Sequence, residues 1–217
     1  MRLLLAITFL ITVFTSSALA DLPPKLYKDF YYGMPIDEVS KISGASPCQD
    51  EELQGSLCID SVTFGGLEWE QVFLMNEDKL VSVILANEDD EDKFITLTNV
   101  LKNSGYFMAM GINGNDTFDT ITLLLQGEGV FTSKIIEFFS QSYEFMTCIY
   151  LERNMFKEVK SRIKNINNIG ELFMNAPLNA REIDINRNND IMSVHFTVPI
   201  FAKYVNHKKI KELKEDF

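Results

Sequence analysis

The side chains of this 217-residue chain that are suited to nucleophilic or metal chemistry are few: two histidines, His195 and His207, and three cysteines, Cys48, Cys58 and Cys148. His195 stands between the apolar Val194 and Phe196, on the same side of an alternating run as Ser193 and Thr197. A histidine there has the chemistry of a general base. It equally fits a strand surface or a satisfied core position. His207 belongs to a basic tail. Cys148 lies in the strand-like run Phe145–Tyr150, where a thiol is first of all a small hydrophobe. A Cys148–His195 nucleophile–base pair would need the fold to bring them together. The chain has no Gly-x-Ser-x-Gly elbow, no phosphate-cradling glycine loop and no His-Glu-x-x-His zinc helix. No catalytic residue, metal ligand or cofactor site is therefore assigned.

Two acidic segments have the composition of cation sites. Glu88-Asp89-Asp90-Glu91-Asp92 is the densest, but it lacks the glycine of a calcium loop and leads directly into a helical pattern. Acids at a helix start are stabilised by the helix dipole, so a solvated first turn is the better reading. Asn113-Gly114-Asn115-Asp116 with Asp119 has better loop chemistry but too few carboxylates.

The cysteines speak to compartment. Cys48 and Cys58 flank a turn-rich stretch with Pro47 and Gly55 and are the best pair, leaving Cys148 free. Structural disulfides belong to oxidising compartments. The N-terminus agrees: a basic start at Arg2, an apolar run from Leu3 to Phe14, and Ala18-Leu19-Ala20 before Asp21 read as a signal peptide over 1–20. Its apolar core is shorter than the roughly 20 residues of a stable span. A periplasmic or secreted product without a membrane span follows. Cleavage removes Arg2 and takes the formal charge from −11 to −12. Such acidity disfavours nucleic acid and anionic lipid as partners.

The remaining pattern is that of elements on a core. Pro23 to Phe30 reads as one or two helical turns, and Ile36, Val39 and Ile42 form one face of a short helix ended by Gly44. Leu57–Phe64, Glu68–Met75 and Leu80–Leu85 read as a three-stranded meander, turned by Gly65-Gly66 and Asn76–Lys79. Trp69, Gln71 and Phe73 share one face and predict a buried tryptophan against that short helix. A helix is predicted from Glu88 to Asn103, capped by Asn87. Strands over 106–112, 118–126 and 145–152, helices over 132–141 and 154–166, and a hairpin around Asn188-Asn189-Asp190 complete the pattern. The class is α+β, short helices packed on an antiparallel meander sheet. The apolar pattern of Gly33–Ile42 echoes in Gly129–Phe138, so residues 21–105 form one module and residues 106–217 a second, similar module or a continuation of the first.

The run Tyr32-Gly33-Met34-Pro35-Ile36-Asp37-Glu38-Val39, Gly44, Phe64-Gly65-Gly66-Leu67-Glu68-Trp69 and Asp78-Lys79-Leu80-Val81-Ser82-Val83 resembles the SmpA/OmlA (BamE) family and the related β-lactamase-inhibitor-like modules over residues 27–86. The resemblance implies a small two-layer interaction module, here without the lipid-bearing cysteine of BamE proteins. Another protein is then the expected partner, with the aromatic cluster Tyr27, Phe30, Tyr31 and Tyr32 as candidate interface. The expected function is that of an exported, non-catalytic binding or envelope-accessory module. A secreted inhibitor of another protein and a small secreted hydrolase using His195 are the alternatives.

Overall fold

The computed structural model describes residues 23–177 and 179–199. The segment read as a signal peptide, residues 1–20, and the basic tail lie outside the described residues. The described residues open with a small hairpin, β1 (Lys25–Tyr27) and β2 (Phe30–Tyr31), where the sequence pattern predicts helical turns. Tyr27 and Phe30 explain the difference. The hairpin lets both side chains reach the core, where Tyr27 meets Phe64 and Phe196, and Phe30 meets Phe73.

Helix α1 (Ile36–Ser43) carries Asp37 and Glu38 in its first turn and ends on Gly44 in the left-handed region. Val39 is fully buried, but Ile42, in the last turn, is 49% exposed, so the expected three-residue stripe is not all core. A two-residue strand β3 (Ser46–Pro47) precedes the meander β4 (Leu57–Phe64), β5 (Leu67–Asn76) and β6 (Lys79–Glu88). Gly65 and Gly66 both have positive φ (62° and 81°), as the tight turn between β4 and β5 requires. Trp69 and Phe73 are buried on one face and Glu70 is exposed on the other. The Trp69 indole donates to the Phe64 carbonyl at 3.0 Å.

Helix α2 (Glu91–Asn103) begins three residues later than predicted because β6 runs on to Glu88, and its cap is Asp90, not Asn87. Next come β7 (Tyr106–Asn113), β8 (Asp116–Asp119), α3 (Thr120–Gln126) and α4 (Glu128–Ser140). The predicted strand over 118–126 is thus mostly helix. Asp119 decides it: one carboxylate oxygen caps α3 at the Thr122 N–H (3.0 Å), the other accepts from the Ile169 N–H. Strand β9 (Phe145–Glu152) leads through α5 (Arg153–Arg162) and α6 (Ile169–Met174) to the hairpin β10 (Glu182–Asn188) and β11 (Ile191–Thr197).

Nine of these strands form one antiparallel sheet in the order β3-β4-β5-β6-β11-β10-β9-β7-β8. With six α-helices among the described residues and the small hairpin, the class is α+β on an antiparallel sheet. The last strand pairs with β6, with Phe196 opposite Val83, and so joins the two halves of the chain through the middle of the sheet. One face buries the main core, including Phe73, Val83, Leu85, Val194 and Ile185. On the other face, a smaller core formed by Leu151, Met155, Val159, Ile169 and Leu172 seats α5 and α6 over the β7–β9 end. The outer edge of β4 is interrupted by a bulge between Ile59 and Val62, where exposed Asp60 and Ser61 discourage edge-to-edge pairing.

Candidate functional site

His195 and Cys148 do not meet. Register places Cys148 opposite Ile185, with its side chain in the main core, while His195 faces the other side of the sheet opposite Asp184 and Ile84. Burial pushes the Cys148 thiol up to about 12, which removes the thiolate needed for attack. His195 is instead within hydrogen-bond reach of Ser193, with Nε2 3.0 Å from Oγ, and Asp184 is its cross-strand neighbour. Serine, histidine and aspartate therefore gather on one half-buried sheet face. The backbone there works against acyl transfer. β11 is paired on both sides, with β10 and β6, so its amides are committed to the ladder rather than directed at an oxyanion.

The acidic segments are used structurally. Asp90 accepts the Lys93 N–H at α2, and Asp116 takes both oxygens to Lys134 at 2.9 and 3.0 Å, which holds its carboxyl below the ordinary range. Asp89 enters a network that the sequence did not disclose. Its carboxylate receives the buried guanidinium of Arg187 at 2.7 and 3.3 Å and the Tyr143 hydroxyl at 2.7 Å. Glu91 takes a further Arg187 N–H at 3.0 Å, and the guanidinium sits 4.3 Å from the Phe94 ring centre. Burial opposes the charge on Arg187, but the hydrogen bonds to Asp89 and Glu91 outweigh it and hold the guanidinium above its ordinary value. The network ties the β6–α2 connection, α2, the α4–β9 connection and β10 together. Among the described residues no group of histidine, cysteine and carboxylate side chains is placed to hold a metal ion.

Cys48 and Cys58 form a disulfide with their Cα atoms 5.0 Å apart, and Cys148 is free and buried. The aromatic cluster divides. Tyr27 and Phe30 belong to the core, whereas Tyr31 and Tyr32 are half-buried and border a shallow groove of about 290 Å³ with Met34, Pro35 and Glu38.

Helices α3 and α4 expose large apolar side chains that the sequence pattern does not place at the surface. Leu124 and Leu125 are 50% and 65% exposed, and Val130 and Ile136 on α4 are 44% and 64% exposed. These helices are not loose. Phe138 is fully buried against Phe118, Lys134 is tied to Asp116, and Phe139 packs on Phe94 beside Arg187. The signal available in the sequence was the run Leu123-Leu124-Leu125, which no one-sided helix can bury completely. The chain matches no family model, and neither curated proteins nor solved structures contain a match to it.

Proposed function

We propose that this protein is an exported, non-catalytic module that binds another protein, in the role of an envelope accessory. The observation that carries the reading is the exposure of Leu124, Leu125, Val130 and Ile136 on helices fixed to the sheet. Large exposed apolar side chains on a rigid element are characteristic of protein contact surfaces. Export is supported by the Cys48–Cys58 disulfide, since such bonds persist in oxidising compartments. The described residues contain no helix long and apolar enough to cross a membrane. A short helix α1 ahead of the antiparallel β4–β6 meander supports reading residues 27–86 as a SmpA/OmlA (BamE)-like or β-lactamase-inhibitor-like interaction module.

The test is capture from the exported fraction with immobilised wild-type protein and with the double variant Leu124→Asp, Leu125→Asp. Both side chains are already half solvated, so the variant should fold with an unchanged melting temperature. A partner captured by the wild type and lost by the variant is expected. Equal capture by both refutes the surface.

A second reading is favoured by the Ser193–His195 contact at 3.0 Å, which fits a small hydrolase using His195 as base. Covalent labelling of Ser193 by a fluorophosphonate, abolished by His195→Ala in a folded protein, would establish it. A chain that stays unlabelled supports the binding module.

A further inference from the structure

We propose that the turn end of the sheet carries a binding site for a neutral oligosaccharide. The β7–β8 turn, the start of β9 and the β10–β11 turn converge there around an open cleft of about 620 Å³, a volume within the range of small-molecule sites. Its lining includes Asn113, Glu144, Phe145, Asn188, Asn189 and Asp190. The space above Gly114 on the cleft wall is open, with no atom within 4 Å of where a Cβ would sit.

The side-chain chemistry selects the ligand. Phe145 is 52% exposed although it is the first residue of a paired strand, held in register opposite Asn188. An exposed ring on a rigid strand is a platform for the C–H face of a pyranose. The amides around it are partly committed, and that fixes their remaining valences. The Asn188 side-chain oxygen accepts the N–H groups of Asp190 and Ile191 at 2.9 and 2.7 Å, which leaves its NH₂ as donor. Asn113 is buried opposite the core residue Met146 and directs its NH₂ to the Ser142 carbonyl at 3.5 Å, so it belongs to the inner wall of the cleft rather than to the ligand contacts. Glu144 and Asp190 are exposed, take part in no ion pair among the described residues, and supply acceptors for vicinal hydroxyls. No lysine or arginine lines the cleft, so phosphate or carboxylate ligands are disfavoured. Donors, acceptors and an aromatic face together match a ligand rich in hydroxyls, with one apolar side and no negative charge.

The experiment is titration of the ¹⁵N-labelled protein with maltotetraose, chitotetraose and a galactose tetramer, with tri-galacturonate and tri-lysine as charged controls. At least one neutral sugar should shift the amide signals of Gly114 and Asn189 at millimolar concentration. Phe145→Ala should weaken that binding about tenfold, and Phe145→Tyr should retain it. Because Phe145 is half exposed, the alanine variant keeps its fold, and its unchanged spectrum away from the cleft verifies this. Three results overturn the proposal. They are the absence of shifts with every neutral sugar, binding unaffected by Phe145→Ala, and tri-lysine or tri-galacturonate occupying the cleft in preference to the neutral sugars.

Discussion

Replacing Asp89 by alanine tests how the two halves of the sheet are held together. Asp89 and Arg187 lie 98 residues apart in sequence, yet their side chains are only 7% and 4% exposed and meet at 2.7 Å. In Asp89→Ala the guanidinium keeps Glu91, which is 67% exposed, and the faces of Phe94 and Tyr143, but loses its buried counter-charge. Leaving a buried charge without its partner costs about 3–5 kcal/mol. The Tyr143 hydroxyl, stripped of its acceptor, adds about 1 kcal/mol. The double variant Asp89→Leu, Arg187→Met removes both charges and should fall within about 1 kcal/mol of wild type, since apolar replacement of a buried pair is often neutral. Urea unfolding followed by Trp69 fluorescence gives all three stabilities. Because the pair is screened from solvent, raising salt should barely change the loss. A loss below about 1 kcal/mol for Asp89→Ala, vanishing in high salt, would show a pair that behaves as surface-exposed and would refute the reasoning.

Other expectations follow from burial and covalent geometry. Trp69→Ala should cost about 3–5 kcal/mol, since the indole is 2% exposed, and wild-type emission should be blue-shifted and resistant to quenchers; a water-like emission from folded protein contradicts the burial. Replacing Cys48 and Cys58 by serine should cost about 2–3 kcal/mol by freeing a short loop in the unfolded chain, as read from melting curves with and without reductant. Cys148 should resist a disulfide reagent at pH 8 until denaturant is added, because burial raises its thiol to about 12. Burial likewise raises Tyr106 and Tyr143 from 10.0 to about 12, so their contribution to stability is complete below pH 10 and is lost as pH rises through 12. Alkaline titration of the melting temperature should show this decline, and a flat profile across that window contradicts it.

Local periodicity carried much of the fold into view. The alternation of Trp69, Gln71 and Phe73 with Glu70, Val72 and Leu74 names the buried face of β5, and Gly65-Gly66 and Asn188–Asp190 mark two hairpins. What local pattern does not encode is pairing at a distance. Nothing near β6 announces that β11, about a hundred residues later, lies beside it, and nothing near Arg187 announces Asp89. Competing local signals account for the other differences. Ile121, Leu123 and Leu125 alternate as a strand would, but Asp119 caps a helix before them. The Asn168 side-chain oxygen accepts the Glu171 N–H at the start of α6 while the Glu171 carboxylate accepts the Asn167 N–H, and the Asn-x-x-Glu spacing was there to be read. Tyr31 and Tyr32 stay near the surface, whereas Tyr27 and Phe30 are drawn into the core by neighbours remote in sequence. The apolar surface of α3 and α4 escaped notice for the same reason, since exposure depends on what the rest of the chain leaves uncovered.

The most direct test of the binding-module account is site-specific photocrosslinking in the producing cell. A photoreactive amino acid placed at Leu125 or Ile136, both well exposed, should crosslink to a second protein outside the cytoplasm. The same probe at Asn99, on the exposed side of α2, should not. Crosslinks at Asn99 equal to those at Leu125 and Ile136, or none at either apolar position, would contradict the account.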